Sequence, residues 1–427
     1  MSKPTVKKLK NGIPVILSPQ KGAKSMTVFV FCRVGSRYET REINGISHFI
    51  EHLMFKGTQR RPNTQVLSRE LDKFGANFNA MTGKDYTGYY VKIDASHSDL
   101  AVDLLHDMLF HSKYDPKEIN RERGVIIEEI NMYEDNPQMH IEDLVEETLF
   151  PNSTLGWNIA GPKKVIQNVT RKQLIDYRDR YYIPSRLTVA LAGKIPNNVM
   201  SLLDSTFGRV KQPRRSKDSD YKPFVAPKKL KKAMNIQEKA TEQTQVGIAF
   251  HGFSVSHNDE PAAKLLSVIL GGSMSSRLFI QVRERRGLCY SISSYHQSLE
   301  DTGMFGIYAG LDRKRLKEAV DTIMGEVRKI KKSGVTMEEL KRAKDHLSGK
   351  TTLAFEDSSF QTAWYGKQWM FTGTFETPEA RMRKLNRVTL KDIKRVANEI
   401  FRQETMVNAV IGPRINKGGL EKFFNLE

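Results

Sequence analysis

His48, Glu51 and His52 stand within one turn of each other in the segment NGISHFIEHLMFKGT. On a helix that advances about 100° per residue, positions i and i+4 point the same way one turn apart, so the two imidazoles can grip one metal ion. Glu51, three positions after His48, shares that face and can reach a water on the metal without itself being a ligand. Zinc suits two neutral imidazoles plus a carboxylate. It leaves a fourth position open and lowers the pKa of its water to about 7, so a nearby carboxylate can accept the proton at neutral pH. That is the chemistry of peptide-bond hydrolysis, with Glu51 as general base. Taken alone, the pattern also fits a partly buried helix whose polar residues make ordinary hydrogen bonds, so the third ligand decides.

A helix over Asp115–Tyr133 (DPKEINRERGVIIEEINMY) is the candidate source. With Ile119 at zero and about 100° per residue, Ile126, Ile130 and Tyr133 fall at roughly 340°, 20° and 320° and define the apolar face. Glu122 and Glu129 fall at roughly 300° and 280°, on its flank, whereas Glu128 falls at roughly 180° and faces solvent. A carboxylate on a buried flank is costly unless paired or bound to a cation. Glu129 is therefore assigned as third ligand and Glu122 as a group behind the ligands or positioning the water, included with Glu51 among the catalytic residues.

The elements that must position these residues are organised as two halves. The stretch from Lys211 to Lys232 carries nine Lys or Arg against Asp218 and Asp220, together with Pro213, Pro223 and Pro227, and is the natural boundary. The reading is an N-terminal metal-bearing domain over 1–212, a basic linker over 213–230 and a C-terminal domain over 231–427. In the first half a strand Thr27–Val34 is followed by a helix, a Thr-Gly strand Tyr86–Asp94 and the helix Ser98–His111. In the second half Gln245–Phe250, the helical Pro261–Leu270, Thr302–Gly310 and the helix Lys314–Lys331 repeat that order, which marks an internal duplication. Asn11-Gly12 signals a two-residue hairpin turn. Asn44-Gly45 starts the histidine helix, Gly75 ends a helix over Thr64–Phe74, and Pro184 follows one over Arg171–Tyr182. Each half is thus an α+β domain, with helices packed on a mixed, largely antiparallel sheet.

Composition bounds the remaining function classes. The chain has 427 residues, 39% hydrophobic and 27% charged, and a formal charge of +19. No apolar run approaches the roughly 18 residues of a membrane span, and the amino terminus lacks a signal-peptide core, so a cytoplasmic location is expected. Cys32 and Cys289, the two cysteines, form no CxxC pair and fit a reducing compartment. Over a third of the excess charge sits in the connector without an aromatic-rich strand beside it, which argues against a nucleic-acid partner. There is no GK[ST] after Gly271-Gly272 and no GxSxG elbow, which removes nucleotide P-loop and serine-hydrolase readings.

These residues resemble the inverted-zincin metallopeptidases of the M16 family, the pitrilysin and insulin-degrading enzyme group, and within it the mitochondrial-processing-peptidase-like branch of smaller chains. The family pattern is HxxEH followed by a glutamate some seventy-five residues on, and Glu129 lies 77 positions after His52. Glu122 matches the family's additional acidic residue in that helix. GGSMSSRLFIQVRERRGLCYSI resembles the segment whose arginine and tyrosine bind substrate across a cavity from the metal, and the matching pair is Arg283 and Tyr290. Asn79, Ala80, Met81 and Thr82 resemble the family's substrate-binding edge strand, on which an extended peptide is held by main-chain bonds. The resemblance implies an M16 (LuxS-like) metallohydrolase fold, one zinc ion per chain, no metal in the second domain, and a peptide substrate. Family enzymes enclose substrate between four such domains. A two-domain chain therefore implies a homodimer, with Arg283 and Tyr290 of one subunit completing the site of the other. A non-catalytic assembly subunit of the same fold is the alternative, and such relatives lose motif residues that are all intact here.

Overall fold

The computed structural model describes residues 3–213, 221–231 and 233–426. Arg214, Arg215, Lys217, Asp218, Asp220 and Lys232 of the basic connector lie outside the described residues.

The chain opens on Thr5–Lys8 (β1) and Pro14–Pro19 (β2), paired antiparallel as the Asn-Gly signal requires. The turn is one residue longer than expected. Leu9 N–H donates to Ile13 O at 2.9 Å and Gly12 N–H to Leu9 O at 2.8 Å, leaving Lys10 to Gly12 as the loop. Only Gly12 adopts positive φ (+91°), and the Asn11 amide donates instead to the carbonyls of Phe207 and Val210, at 2.8 and 2.9 Å. A tertiary contact has overridden the local turn preference.

The first sheet adds Ser25–Cys32 (β3), Asn77–Thr82 (β4), Thr87–Asp94 (β5) and Leu187–Gly193 (β6), in the order β1-β2-β6-β3-β5-β4. Only the β2–β6 pair is parallel. Val28 and Val30 point into a core with Phe49, Leu53 and Leu105, while Phe29 and Phe31 point the other way. β4 ends the sheet, and among the described residues no strand pairs with its outer side.

The second sheet comprises Met234–Glu238 (β7), Gln243–Gly252 (β8), Cys289–Ser298 (β9), Gly303–Asp312 (β10) and Val407–Gly412 (β11), in the order β7-β11-β8-β10-β9. Its one parallel pair is β7–β11. The order β2-β6-β3-β5-β4 maps onto it strand for strand, parallel pair included. The helices Glu260–Gly271 and Leu316–Ser333 pack beside it much as the helices Ile46–Met54 and Ser98–His111 do in the first sheet. Duplicated α+β architecture follows directly.

One division between compact units, at 222/223, falls within the connector expected at 213–230, but two further segments change sides. One compact unit contains the residues up to 130, 158–222 and 351–377; the other contains 131–157, 223–350 and 378–427. The Pro137–Leu149 helix buries Ile141, Val145 and Leu149 with Ala249, Ala409 and Ile411 of the second sheet. The Ser358–Thr372 helix sets Tyr365 and Met370 against Ile16, Phe29 and Phe31 of the first. Ser18 Oγ donates to Gln361 Oε1 at 2.7 Å and Thr27 and Ser358 hydroxyls meet at 2.7 Å, which fixes this helix on its sheet. Each half of the sequence thus lends one helix to the other unit. No helix among the described residues is long and apolar enough to cross a membrane.

Candidate metal and peptide site

The Ile46–Met54 helix buries Ile46, Phe49, Ile50, Leu53 and Met54, which turns His48, Glu51 and His52 to its half-exposed side. Its start is set by two devices. Gly45 caps it at φ +99°, where a Cβ would lie 2.4 Å from Ala160 O, so only glycine fits. Glu39 then takes the place of a capping side chain: its oxygens accept from Gly45 N–H at 2.7 Å, Ser47 N–H at 2.8 Å and the Asn44 amide at 2.8 Å. Burial pushes the Glu39 carboxyl up to about 7, against these hydrogen bonds, which pull it down. Glu39→Ala would leave the three donors buried and unpaired, so thermal denaturation of the metal-free protein should show a loss of about 2–3 kcal/mol. A change below a few tenths of a kcal/mol would mean that the helix start is held by Gly45 alone.

The Pro116–Asp135 helix supplies the carboxylates. Glu122 is buried, Glu129 half-buried and Glu128 exposed, in the order that the angular sorting predicts. Nε2 of His48, Nε2 of His52 and Oε2 of Glu129 form a triangle with edges of 3.3, 3.4 and 3.6 Å. Zinc at about 2.0–2.1 Å from each donor in tetrahedral geometry needs edges of about 3.3–3.5 Å. The donors fit such an ion. Among the described residues this is the one group of three or more His, Cys, Asp or Glu donors close enough to share a metal. The charges agree with the geometry. Burial lowers the pKa of His52, but hydrogen bonds to Glu122 and Glu129 outweigh it and hold the ring at about 9. Burial and the neighbouring His52 bring His48 down to about 4, against the pull of Glu129.

Glu122 stands behind His52 rather than beside the open side of the triangle. Its Oε2 accepts from His52 Nδ1 at 3.1 Å, and its Oε1 pairs with Lys56 Nζ at 2.6 Å. Because an ionised carboxylate only accepts, it holds the proton on Nδ1 and leaves Nε2 to face the triangle. Glu122 thus touches His52 from behind, the first of the two placements expected of it. Sequence reasoning missed Lys56, although it lies four positions after His52, just past the end of the same helix. Among the described residues His48 has no such orienting partner, since its buried Nδ1 is without a hydrogen bond.

Glu51 is held from the strand side. The Thr82 hydroxyl donates to its Oε2, and Glu51 senses the charges of His52 and Glu129. Burial raises the Glu51 pKa above the usual carboxylate range, and the Thr82 hydrogen bond moderates the rise. A carboxylate so placed is a better proton acceptor near neutral pH than a solvated one. Thr82 belongs to β4, so the open edge of the sheet touches the proposed base directly. Asn79, Ala80 and Met81 lie along the same edge, and Ala80 N–H donates to Asn79 Oδ1 at 2.8 Å.

Arg283 and Tyr290 lie in the second unit, and both sit on irregular backbone. Arg283 is in a π-helical turn, Phe279–Glu284, where Arg285 N–H bonds back five residues to Ile280 O at 2.9 Å. Tyr290 occupies a bulge in β9, between Cys289 paired with Leu311 and Ser291 paired with Gly310. Such irregularities re-aim side chains. The Arg283 guanidinium stands 5.3 Å from the Tyr290 ring centre, and Tyr290 is 74% exposed. The Glu260–Gly271 helix, in the place that the Ile46–Met54 helix holds in the first unit, carries no His and one acid at its start, Glu260, which pairs with Arg381.

The duplicated α+β fold carries a two-histidine, one-glutamate donor set in the inverted HxxEH arrangement. Residues 15–163 match the family model described as Insulinase (Peptidase family M16), and residues 168–347 the one described as Peptidase M16 inactive domain. The uncharacterized zinc protease YmxG of Bacillus subtilis (strain 168) is 34% identical over 406 residues, covering 95% of this chain and 97% of its own. Two solved structures share the fold: a protease from Helicobacter pylori, with a TM-score of 0.90 and 24% identity over 96% of this chain and 99% of its own, and a peptidase M16 inactive domain from Pseudomonas fluorescens, with 0.88 and 18% over 97% and 98%. The chain belongs to the M16 peptidase family.

Proposed function

We propose that the chain is a zinc-dependent endopeptidase that hydrolyses short or unfolded peptides. The observation that carries this reading is the triangle of His48, His52 and Glu129 with Glu51 beside it. The match to an inactive domain does not weigh against it, because that match covers residues 168–347 and all four of these residues lie outside it. It also speaks against a non-catalytic assembly subunit, for which an intact donor set has no use.

When bound, zinc supplies a Lewis acid that makes water and the peptide carbonyl more reactive at neutral pH. The chain's own residues do the rest. His48, His52 and Glu129 would hold the ion, and Glu122 keeps His52 in the tautomer that can do so. β4 receives the peptide as an added strand, so main-chain hydrogen bonds provide affinity that does not depend on sequence. Glu51 accepts the proton of the attacking water and returns it to the leaving amine. Arg283 and Tyr290 would bind the peptide by hydrogen bonds to its carbonyls. Because the family resemblance implies a chamber of four domains, we assign these two roles to the partner subunit of a homodimer.

Metal analysis beside peptide cleavage tests the reading. The purified protein should contain about one zinc per chain, and a chelator should abolish cleavage of an unfolded peptide until zinc is restored. Cleavage that survives complete removal of metal would end the proposal. The subunit arrangement has its own test. Glu51→Gln and Arg283→Ala chains, each weak alone, should regain about a quarter of wild-type activity when mixed and reassembled, since half the dimers then contain one intact site. No recovery in a demonstrably mixed dimer would show that each chain completes its own site.

A further inference from the structure

We propose that the face of β4 turned away from the metal is a specificity subsite, in which Met81, Tyr86, Phe371 and Lys367 receive an apolar side chain of the bound peptide and discourage a basic one. The inference rests on the edge-strand binding proposed above and deepens it, because it names the class of side chain that the strand selects.

Side chains alternate along a strand. Thr82 reaches Glu51, Ala80 is buried in the core that contains the metal helix, and Phe78 stacks on Phe55 at 6.2 Å, so these three lie on the metal face. Met81 and Asn77 lie on the opposite face, where Asn77 accepts from the Tyr90 hydroxyl at 2.9 Å. A peptide added to the open side of β4 must obey the same alternation. The residue that pairs with Met81 therefore points away from the metal, into the row that Met81 shares with Gly88 of β5 and Phe31 of β3.

That row is built for an apolar neighbour. Gly88 adds no side chain to it, the Phe29 ring fills the place where a Cβ would stand, and the Tyr86 ring, 6.0 Å from that of Phe31, stands alongside. The Tyr86 hydroxyl donates to Met81 Sδ at 3.5 Å. The Ser358–Thr372 helix closes the far side: the Phe371 ring lies 6.2 Å from that of Tyr86, edge to face, and Lys367 Nζ stands 4.7 Å from its centre. Met81 itself is 37% exposed at the outer end of the row. A thioether next to aromatic rings adapts to the shape of an incoming aliphatic or aromatic group. Lys367 makes no ion pair among the described residues, so its charge is free to repel an arginine or lysine at this position. None of these contacts follows from the motif residues, because the helix that supplies two of them comes from nearly three hundred residues further along the chain.

The test is a set of peptides in which each position around the cleaved bond is varied in turn among Phe, Leu, Ala, Lys and Glu, with cleavage followed by mass spectrometry. Wild-type protein should favour Phe or Leu over Lys by about tenfold at one position. Phe371→Ala should weaken the preference for Phe at that position alone, and Lys367→Glu should remove or reverse the discrimination against Lys there. Both variants must first show the wild-type melting temperature and zinc content. The same peptides, fluorescently labelled and bound to Glu51→Gln protein, give a readout independent of turnover. If wild-type protein cleaves but neither variant changes the ranking at any position, the subsite is wrong and the peptidase reading stands. If wild-type protein does not cleave, yet Glu51→Gln binds the Phe peptide in a Phe371-dependent way, the subsite stands and the peptidase reading falls.

Discussion

Glu51→Gln should lower kcat/KM for an unfolded peptide by about 10²–10⁴-fold while leaving the zinc content unchanged. The substitution keeps the size and shape of the side chain and keeps an oxygen to accept from the Thr82 hydroxyl, so the local geometry has no reason to collapse. It leaves the three donors of the triangle untouched. What it removes is a group that can take up a proton. The environment of Glu51 makes that loss large. Burial has raised its pKa, which brings its basicity closer to what water activation near neutral pH demands. The measurement is steady-state cleavage beside metal analysis and thermal unfolding. A variant that retains zinc and stability but cleaves like wild type would remove Glu51 from the mechanism. A variant that loses zinc would instead show that Glu51 belongs to the donor set.

The carboxylates are legible in the sequence because helix periodicity is local. Glu122, Glu128 and Glu129 differ in burial in the order that their angles relative to Ile119, Ile126 and Ile130 require. The repeated strand order was legible for the same reason, since alternation marks a strand wherever its partner lies. What the residues alone could not disclose is which sheet an amphipathic helix chooses. The apolar faces of Pro137–Leu149 and Ser358–Thr372 carry no mark in the sequence of the exchange between units. The role of Glu122 was half visible. Its flank position demanded a cation or donor, but only the fold shows that His52 Nδ1 and Lys56 meet that demand from behind the ligand. The Asn11-Gly12 turn failed as a length prediction because Asn11 found carbonyl partners near residue 207. Likewise, Arg283 is picked out by resemblance to a family segment, whereas the π-helical turn that carries it has no signature in single residues.

Zinc affinity should separate Glu129 from Glu122 even though the two lie on one helix and both touch His52. Glu129→Ala deletes one of three donors, and by the free energies typical of zinc sites shared among their ligands it should weaken binding by about 10²–10³-fold. Glu122→Gln leaves every donor in place. It replaces an acceptor that fixes the His52 proton on Nδ1 with an amide that can also present N–H, and it leaves Lys56 without its partner. Loss of an orienting group of this kind typically costs about 10–100-fold in metal affinity. Competition with a chromophoric chelator measures both constants without reference to turnover, so a defect in catalysis cannot be mistaken for a defect in binding. The order of the two effects carries the argument. Were Glu122→Gln the more damaging, the ion would have to sit on the Nδ1 side of His52, where Lys56 Nζ already stands 2.6 Å from the carboxylate. A second cation there would meet that charge directly, whereas on the Nε2 side it meets His48 and Glu129, whose donor atoms face it with no cation between them.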